Sequence, residues 1–254
     1  MLSKKFLKNV KILAFDLDGT LTESKQKIKK DLLFILKKLS KKYLILIIGG
    51  GRLNQIRKQI GFSKNFIIGA VSGTIVFYKN KILFKEKDIT KKQYEKIKKI
   101  ILEELENFKF KPKKIWGKLI DFRKTQITIS FLGQKAPLKE KIKFKNLDKK
   151  FKIRRKFLKL IKKRLKNLHI TLGGLTSLDI TRYKNQKALC LKKIIKIFKI
   201  NKDQILFFGN EIYPGGNDFS IKVAGFKVIK VKNPEDTKRK LIIILNKIKD
   251  YEKN

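Results

Sequence analysis

The sequence predicts an α/β protein: a doubly wound parallel sheet assembled from both ends of the chain, with an α+β segment inserted between them. Three observations carry this expectation. Near the start, short apolar runs alternate with stretches of helical periodicity; in the middle, segments alternate polar and apolar residues; toward the end, the first pattern returns. The expected division is a core from residues 1–82 and 185–254, with the inserted cap spanning 83–184.

Each element has its own signal. "VKILAFDLD" (10–18) is a mostly apolar run ending in acids, as suits a buried parallel strand with functional groups at its C-terminal end. Ile28, Leu32, Ile35, Leu36 and Leu39 share one face of a helix over about 28–39. "YLILII" (43–48) is the next buried strand, broken by three glycines; a helix over 53–60 and the strand "FIIGA" (66–70) follow. "TIVFYKNKILFKE" predicts a hairpin turning at Asn80, and Thr90 with Gln93 in capping-box spacing opens a helix over about 91–107. "DFRKTQITISFLG" reads as one half-buried antiparallel strand, a basic amphipathic helix covers about 150–166, and "HITLG" and "SLDIT" give two further strands. From Gln186 a helix runs to about Phe198, then come the strand "ILFFG", a loop and the short strand "VIKV". A last helix starts at Asn233 as N-cap and Pro234, with Glu235 and Asp236 near the positive end of its dipole.

Composition excludes several classes of function. The chain has 254 residues, 42% hydrophobic, enough for one large core or two modest ones. Lys+Arg total 66 against 21 Asp+Glu, a net charge of +45, and only eight of the 66 are arginine. The lysines run through every segment, which fits solvated faces rather than the concentrated footprint of a nucleic-acid binder, so nucleic acid is not an expected partner. Such a surface still attracts phosphorylated ligands at low salt. The single cysteine, Cys190, has no internal disulfide partner and sits among apolar neighbours. The N-terminal apolar stretch is interrupted by Lys8 and Lys11 and ended by Asp16, too soon for a signal peptide, and no apolar run approaches membrane-spanning length. A cytoplasmic protein without a membrane partner is expected.

The chemistry concentrates in a few stretches. In "FDLDGT", Asp16 and Asp18 sit two apart at a strand end and project toward the same side, above the sheet edge where α/β proteins bind ligands. "IIGGGR" places Gly49, Gly50 and Gly51 before a helix N-terminus, where backbone N–H groups form a phosphate cradle. "FFGNEIYPGGND" (207–218) bends tightly after a buried strand. His169, the only histidine, lacks Cys or His partners and is expected to be structural.

With these stretches the chain resembles the haloacid dehalogenase superfamily of phosphotransferases, a Rossmann-like core carrying an inserted cap. The resemblance implies that Asp16 is a nucleophile forming an aspartyl-phosphate, and that Asp18 protonates the leaving oxygen and deprotonates the incoming one. It implies that Lys187, in "NQKALCL", steadies the transferring phosphoryl group. It also implies a Mg²⁺ ion held by Asp16, the backbone carbonyl of Asp18 and the loop after "ILFFG". There most relatives carry an aspartate where this chain has Asn210, with Glu211 and Asp218 following. An asparagine oxygen still ligates a hard cation but brings no charge, so a weakened metal site is expected. Most relatives also place a Ser or Thr hydroxyl in the glycine loop, whereas Gly51 closes it here.

"PGGND", "FR" at Phe122 and Arg123, "GGLTSLDI" and "NPEDTKRKL" together resemble the eukaryotic phosphomannomutase branch and its bacterial relatives of subclass IIB. The resemblance implies cap residues for substrate: Arg123 for a phosphate, Ser177 and Asp179 for sugar hydroxyls, and Gln134 and Lys141 where two further arginines are expected. Bidentate arginines grip phosphate better than Gln or Lys, so the departure favours hydrolysis of a sugar phosphate or similar small phosphomonoester. The alternative is a hexose-phosphate mutase exchanging 1- and 6-phosphates. A third expectation, from a different class, is a non-catalytic binder of nucleic acid or polyphosphate. A homodimer through the cap is what the mutase resemblance implies.

Overall fold

The computed structural model describes residues 3–61, 65–184 and 186–252. The chain divides into two compact units, Met1–Lys85 with Asn185–Asn254, and Glu86–Lys184. In chain order the first unit begins α1 (Lys4–Asn9), β1 (Ile12–Asp16), α2 (Lys30–Leu39), β2 (Leu44–Ile48), α3 (Leu53–Ile60), β3 (Phe66–Ala70), β4 (Ile75–Tyr78) and β5 (Lys81–Lys85). The second unit holds α4 (Lys91–Glu106), β6 (Ile120–Phe122), β7 (Gln126–Ser130), α5 (Leu138–Phe151), α6 (Ile153–Arg164), β8 (His169–Gly173) and β9 (Ser177–Thr181). The first unit resumes with α7 (Gln186–Phe198), β10 (Ile205–Gly209), α8 (Phe219–Val223), β11 (Lys227–Lys230) and α9 (Pro234–Glu252). Among the described residues no helix is long and apolar enough to cross a membrane.

The first unit is built on one sheet of order β11-β10-β1-β2-β3-β4-β5. The pairs from β11 through β3 are parallel, and β4 and β5 add an antiparallel edge. β1, β3 and β10 are buried along their whole length, which explains why they read as continuous apolar runs. Alternate residues serve opposite faces. Leu13, Phe15, Ile45, Ile47, Leu206 and Phe208 join residues of α2, α3 and α9 in one core cluster. Ile12, Ala14, Leu46, Ile48, Ile205 and Phe207 join residues of α7 and α8 in the other. Phe15 and Phe208 stack across the β1–β10 pair with ring centroids 4.9 Å apart. Each such side chain contributes about 1.5–3 kcal/mol on burial. The C-terminal ends of β10, β1 and β2 therefore lie side by side and set three loops along one edge.

The second unit is a four-stranded antiparallel sheet of order β6-β7-β9-β8. Ile127, Ile129, Leu178 and Ile180 point to one face and pack with Ile97, Ile101, Phe108, Phe144, Phe157 and Ile161 of the surrounding segments. Thr128 stands opposite both Asp121 and Asp179 in the register, so those polar side chains share the other face.

Three expectations change. "DFRKTQITISFLG" is two strands rather than one, because Lys124 adopts φ 64° and turns the chain between β6 and β7. The basic helix expected over about 150–166 is α6, and a further helix, α5, precedes it across Lys152 at φ 55°; α5 was not expected because its lysines blur the apolar stripe. The hairpin turns through Lys79 and Asn80, both at positive φ, and its second strand continues to Lys85, so the division between units falls at 85/86 rather than 82/83.

Candidate active site

At the tip of β1, Asp16 is 5% exposed, and Lys187 from the first turn of α7 is 6% exposed. Lys187 Nζ donates to Asp16 Oδ1 at 2.6 Å, to Asp218 Oδ1 at 2.6 Å and to Asn217 Oδ1 at 3.1 Å. Asp218 has no exposed surface, and its Oδ2 accepts from the Glu211 N–H at 3.1 Å. Gly209 is needed here, since a Cβ at that position would lie 2.5 Å from Asp218 Oδ2. Both Asp218 oxygens thus accept from protein N–H groups, and the carboxylate anchors Lys187.

Thr20 Oγ1 lies 3.4 Å from both Asp16 Oδ2 and Asn210 Oδ1, gathering a carboxylate oxygen and an amide oxygen about one hydroxyl. Thr20 is fixed from below by the Thr237 hydroxyl, which donates to its carbonyl at 2.7 Å. Gly19, at φ 87°, permits this approach: a Cβ there would lie 2.5 Å from Asn210 Nδ2. Asp18 is held differently. Its Oδ1 accepts from the Lys25 N–H at 2.7 Å and from Gln59 Nε2 at 3.0 Å.

The electrostatics follow from the charge count. Burial, with the neighbouring carboxylate of Asp218, raises Asp16 to about 7 against the lowering effect of Lys187. Burial acts against the Lys187 ammonium, but the two carboxylates outweigh it and hold the lysine above its ordinary range. Asp16, Asp18 and Asp218 against Lys187 leave a formal charge of −2. Hard oxygen donors and that excess fit a divalent cation such as Mg²⁺. Among the described residues no three His, Cys, Asp or Glu side chains are grouped to hold a metal.

The glycine loop is tied at two points: Gly49 N–H donates to the Gly69 carbonyl, and the Gly51 carbonyl accepts from Val71 N–H. Gly49 is buried in the strand-end pairing, and the bend of the loop runs through half-buried Gly50 and buried Gly51. Ser72, at φ 60°, donates its N–H to the Gly49 carbonyl and brings its hydroxyl to 3.9 Å from where a Gly50 Cβ would be. This hydroxyl from the following loop was not anticipated; a left-handed backbone at a non-glycine residue shows only in three dimensions.

In the second unit, Arg123 is 8% exposed and donates to Asp121 Oδ2 at 2.8 Å and to Gln134 Oε1 at 3.3 Å. Asp179 Oδ1 accepts from the Thr128 hydroxyl at 2.8 Å, and Thr128 in turn accepts from Gln126 at 2.9 Å. Ser177 Oγ donates to the Gly173 carbonyl at 2.8 Å. The sheet thus gathers Arg123 with Gln134, and Ser177 with Asp179, whereas Lys141 is buried on α5. Arg154, which the sequence did not single out, pairs with Asp148 at 2.8 Å and donates to the carbonyls of Gly173, Gly174 and Ser177. It fixes the turn that presents Ser177.

An aspartate at the first strand tip, sharing a buried lysine with a second aspartate from the loop after β10, defines with this fold a haloacid dehalogenase-type phosphotransferase, either phosphohydrolase or phosphomutase. The fold is similar to that of IMP-bound IMP-nucleotidase from Plasmodium falciparum, with TM-score 0.65 and 18% identity, covering 94% of this chain and 69% of that one. It is likewise similar to the C-terminal domain of trehalose-6-phosphate phosphatase from C. albicans, with TM-score 0.65 and 15% identity, covering 94% and 95%. In sequence, the eukaryotic phosphomannomutase profile matches residues 32–247. Phosphomannomutase 1 of Homo sapiens is 34% identical over 241 residues, 88% of this chain and 87% of the relative. The phosphomannomutase of Encephalitozoon cuniculi is 32% identical over 249 residues, 93% and 94%. The chain belongs to the eukaryotic phosphomannomutase family.

Proposed function

We propose that this enzyme transfers the phosphoryl group of a sugar phosphate, or a similar small phosphomonoester, to Asp16 and then to water. The observation that carries the proposal is the buried Asp16–Lys187–Asp218 arrangement, which fixes one carboxylate at the strand tip beside a cation. Asp16 attacks phosphorus through Oδ2, the oxygen not bonded to Lys187. The bond from phosphorus to the substrate oxygen breaks as the Asp16–phosphorus bond forms, and Asp18 gives its proton to the departing oxygen. Asp18 then takes a proton from the incoming water, which releases phosphate and restores Asp16. Lys187 and the backbone N–H groups at Gly50 and Gly51 offset the phosphoryl charge. Asp16, Asn210 and the main-chain carbonyl of Asp18 are the groups that would hold Mg²⁺, whose charge lets two anions approach each other. Wild type and Asp16→Asn are compared on a panel of phosphomonoesters with Mg²⁺; phosphate release by wild type alone is expected, and equal release by both removes the proposal.

Hydrolysis is placed first because Gln134 and Lys141 bring no guanidinium to join Arg123 in gripping a second phosphate. Arg123, Ser177 and Asp179 are the proposed substrate contacts of the cap. The mutase reading is favoured by the names of the sequence relatives, all phosphomannomutases among those described above. Mannose 1-phosphate, offered with and without a hexose bisphosphate, separates the two. Phosphate appearing first supports hydrolysis; isomer conversion stimulated by the bisphosphate supports the mutase. A homodimer through the cap belongs to the mutase reading, and sedimentation equilibrium tests it.

A further inference from the structure

Gln59 is a polar residue where α3 otherwise buries Ile56 and Ile60, and it is 4% exposed. Its Nε2 donates to two acceptors, Asp18 Oδ1 at 3.0 Å and Thr22 Oγ1 at 3.2 Å. Its Oε1 is buried and finds no partner among the described residues. Its own main-chain carbonyl accepts from Ile28 N–H at 2.8 Å. One residue of α3 therefore holds both ends of the segment from Asp18 to Ile28.

The packing of α3 does not call for an amide here, because an apolar side chain of similar size would fill the space and leave no buried acceptor unsatisfied. What the amide secures is orientation. Turned over, it would set Oε1 against the Asp18 carboxylate and lose the hydrogen bond to it, since only the Thr22 hydroxyl could donate in return. With Nε2 toward Asp18, and Lys25 N–H on the same oxygen at 2.7 Å, two donors pin Oδ1. The other oxygen, Oδ2, is then the atom from which a proton leaves.

We infer that Gln59 is a positioning residue for phosphoryl transfer, holding the Asp18 carboxyl so that Oδ2 delivers its proton to the departing oxygen. This rests on the roles given above to Asp16 and Asp18. The proton moves from Asp18 Oδ2 to the substrate oxygen as that oxygen's bond to phosphorus breaks, and Asp18 is left ionised.

A leaving group's need for a proton supplies the test. Gln59→Met is compared with wild type by kcat/KM on mannose 6-phosphate, whose alkoxide must be protonated, and on 4-nitrophenyl phosphate, whose leaving group departs as the anion. The expected result is a loss of about 100-fold on the sugar phosphate and less than about 3-fold on the aryl ester. Equal losses on both, a larger loss on the aryl ester, or no loss on either overturns the inference. Should Gln59→Met fail to fold, Thr22→Val removes the second anchor of the amide; the same selective loss, smaller in size, is expected, and a uniform change counts against. Asp16→Asn is run alongside on both esters. If it retains wild-type turnover, the phosphotransfer reading fails; if it is inactive while Gln59→Met loses both esters equally, only the role of Gln59 fails.

Discussion

Lys187 stands between two carboxylates that burial has stripped of solvent, and removing it would leave both uncompensated. Lys187→Ala is expected to lose about 3–5 kcal/mol of stability in denaturant titration, together with phosphoryl transfer. Asn210 sets the opposite test. Asn210→Asp adds a charge beside Asp16, so Mg²⁺ affinity measured by calorimetry should rise about tenfold, while the metal-free protein loses stability. Asp16 makes the site pH-sensitive. Its carboxyl is raised from 3.8 to about 7 on folding, so between those values the folded state binds a proton that the unfolded state has released. Its contribution is therefore full below pH 3.8 and is lost as pH rises through about 7. Since a cation displaces that proton, Mg²⁺ should raise the melting temperature more at pH 8 than at pH 6, with proton release on binding at pH 6. Asp16, Asp18 and Asp218 stood out because strand tips and glycine turns leave local signatures, whereas Lys187 was picked out only through the family resemblance. Gln59 was not, since a buried amide on a helix gives no sign of which loop will fold over it.

The helices and strands were most legible where burial is complete. "ILAFD", "LILII" and "ILFFG" are strands at or near the expected positions because both of their faces pack on helices. Thr90 and Gln93 form the expected reciprocal cap on α4. In the second unit lysine hid the boundaries: α5 carries its buried Phe144 among lysines on every side, and the turn at Lys124 has no glycine to announce it. The same disguise covers Lys152, which takes a left-handed backbone between α5 and α6 without being glycine. Lys152→Gly should therefore stabilise the protein by about 1 kcal/mol, read as a shift in denaturation midpoint. Phe157, fully buried amid Phe108 and Phe131, marks the other extreme; Phe157→Ala should cost about 3–5 kcal/mol.

At the scale of the molecule, +45 charges repel one another in every segment. Raising KCl from about 50 to 300 mM should stabilise the fold by screening that repulsion, while raising KM for an anionic substrate; a melting temperature and KM both indifferent to salt would contradict this. The α/β class was visible in the order of apolar runs, whereas the strand order was not, since no local pattern states that β1 will sit between β2 and β10. That arrangement has a consequence during synthesis. β1 emerges first, yet its partner on one side is Ile205–Gly209, made only after the whole intervening unit. An apolar edge, Ile12 to Phe15, must wait for that partner through most of translation, open meanwhile to pairing with other chains. Glu86–Lys184, contiguous in sequence, faces no such delay.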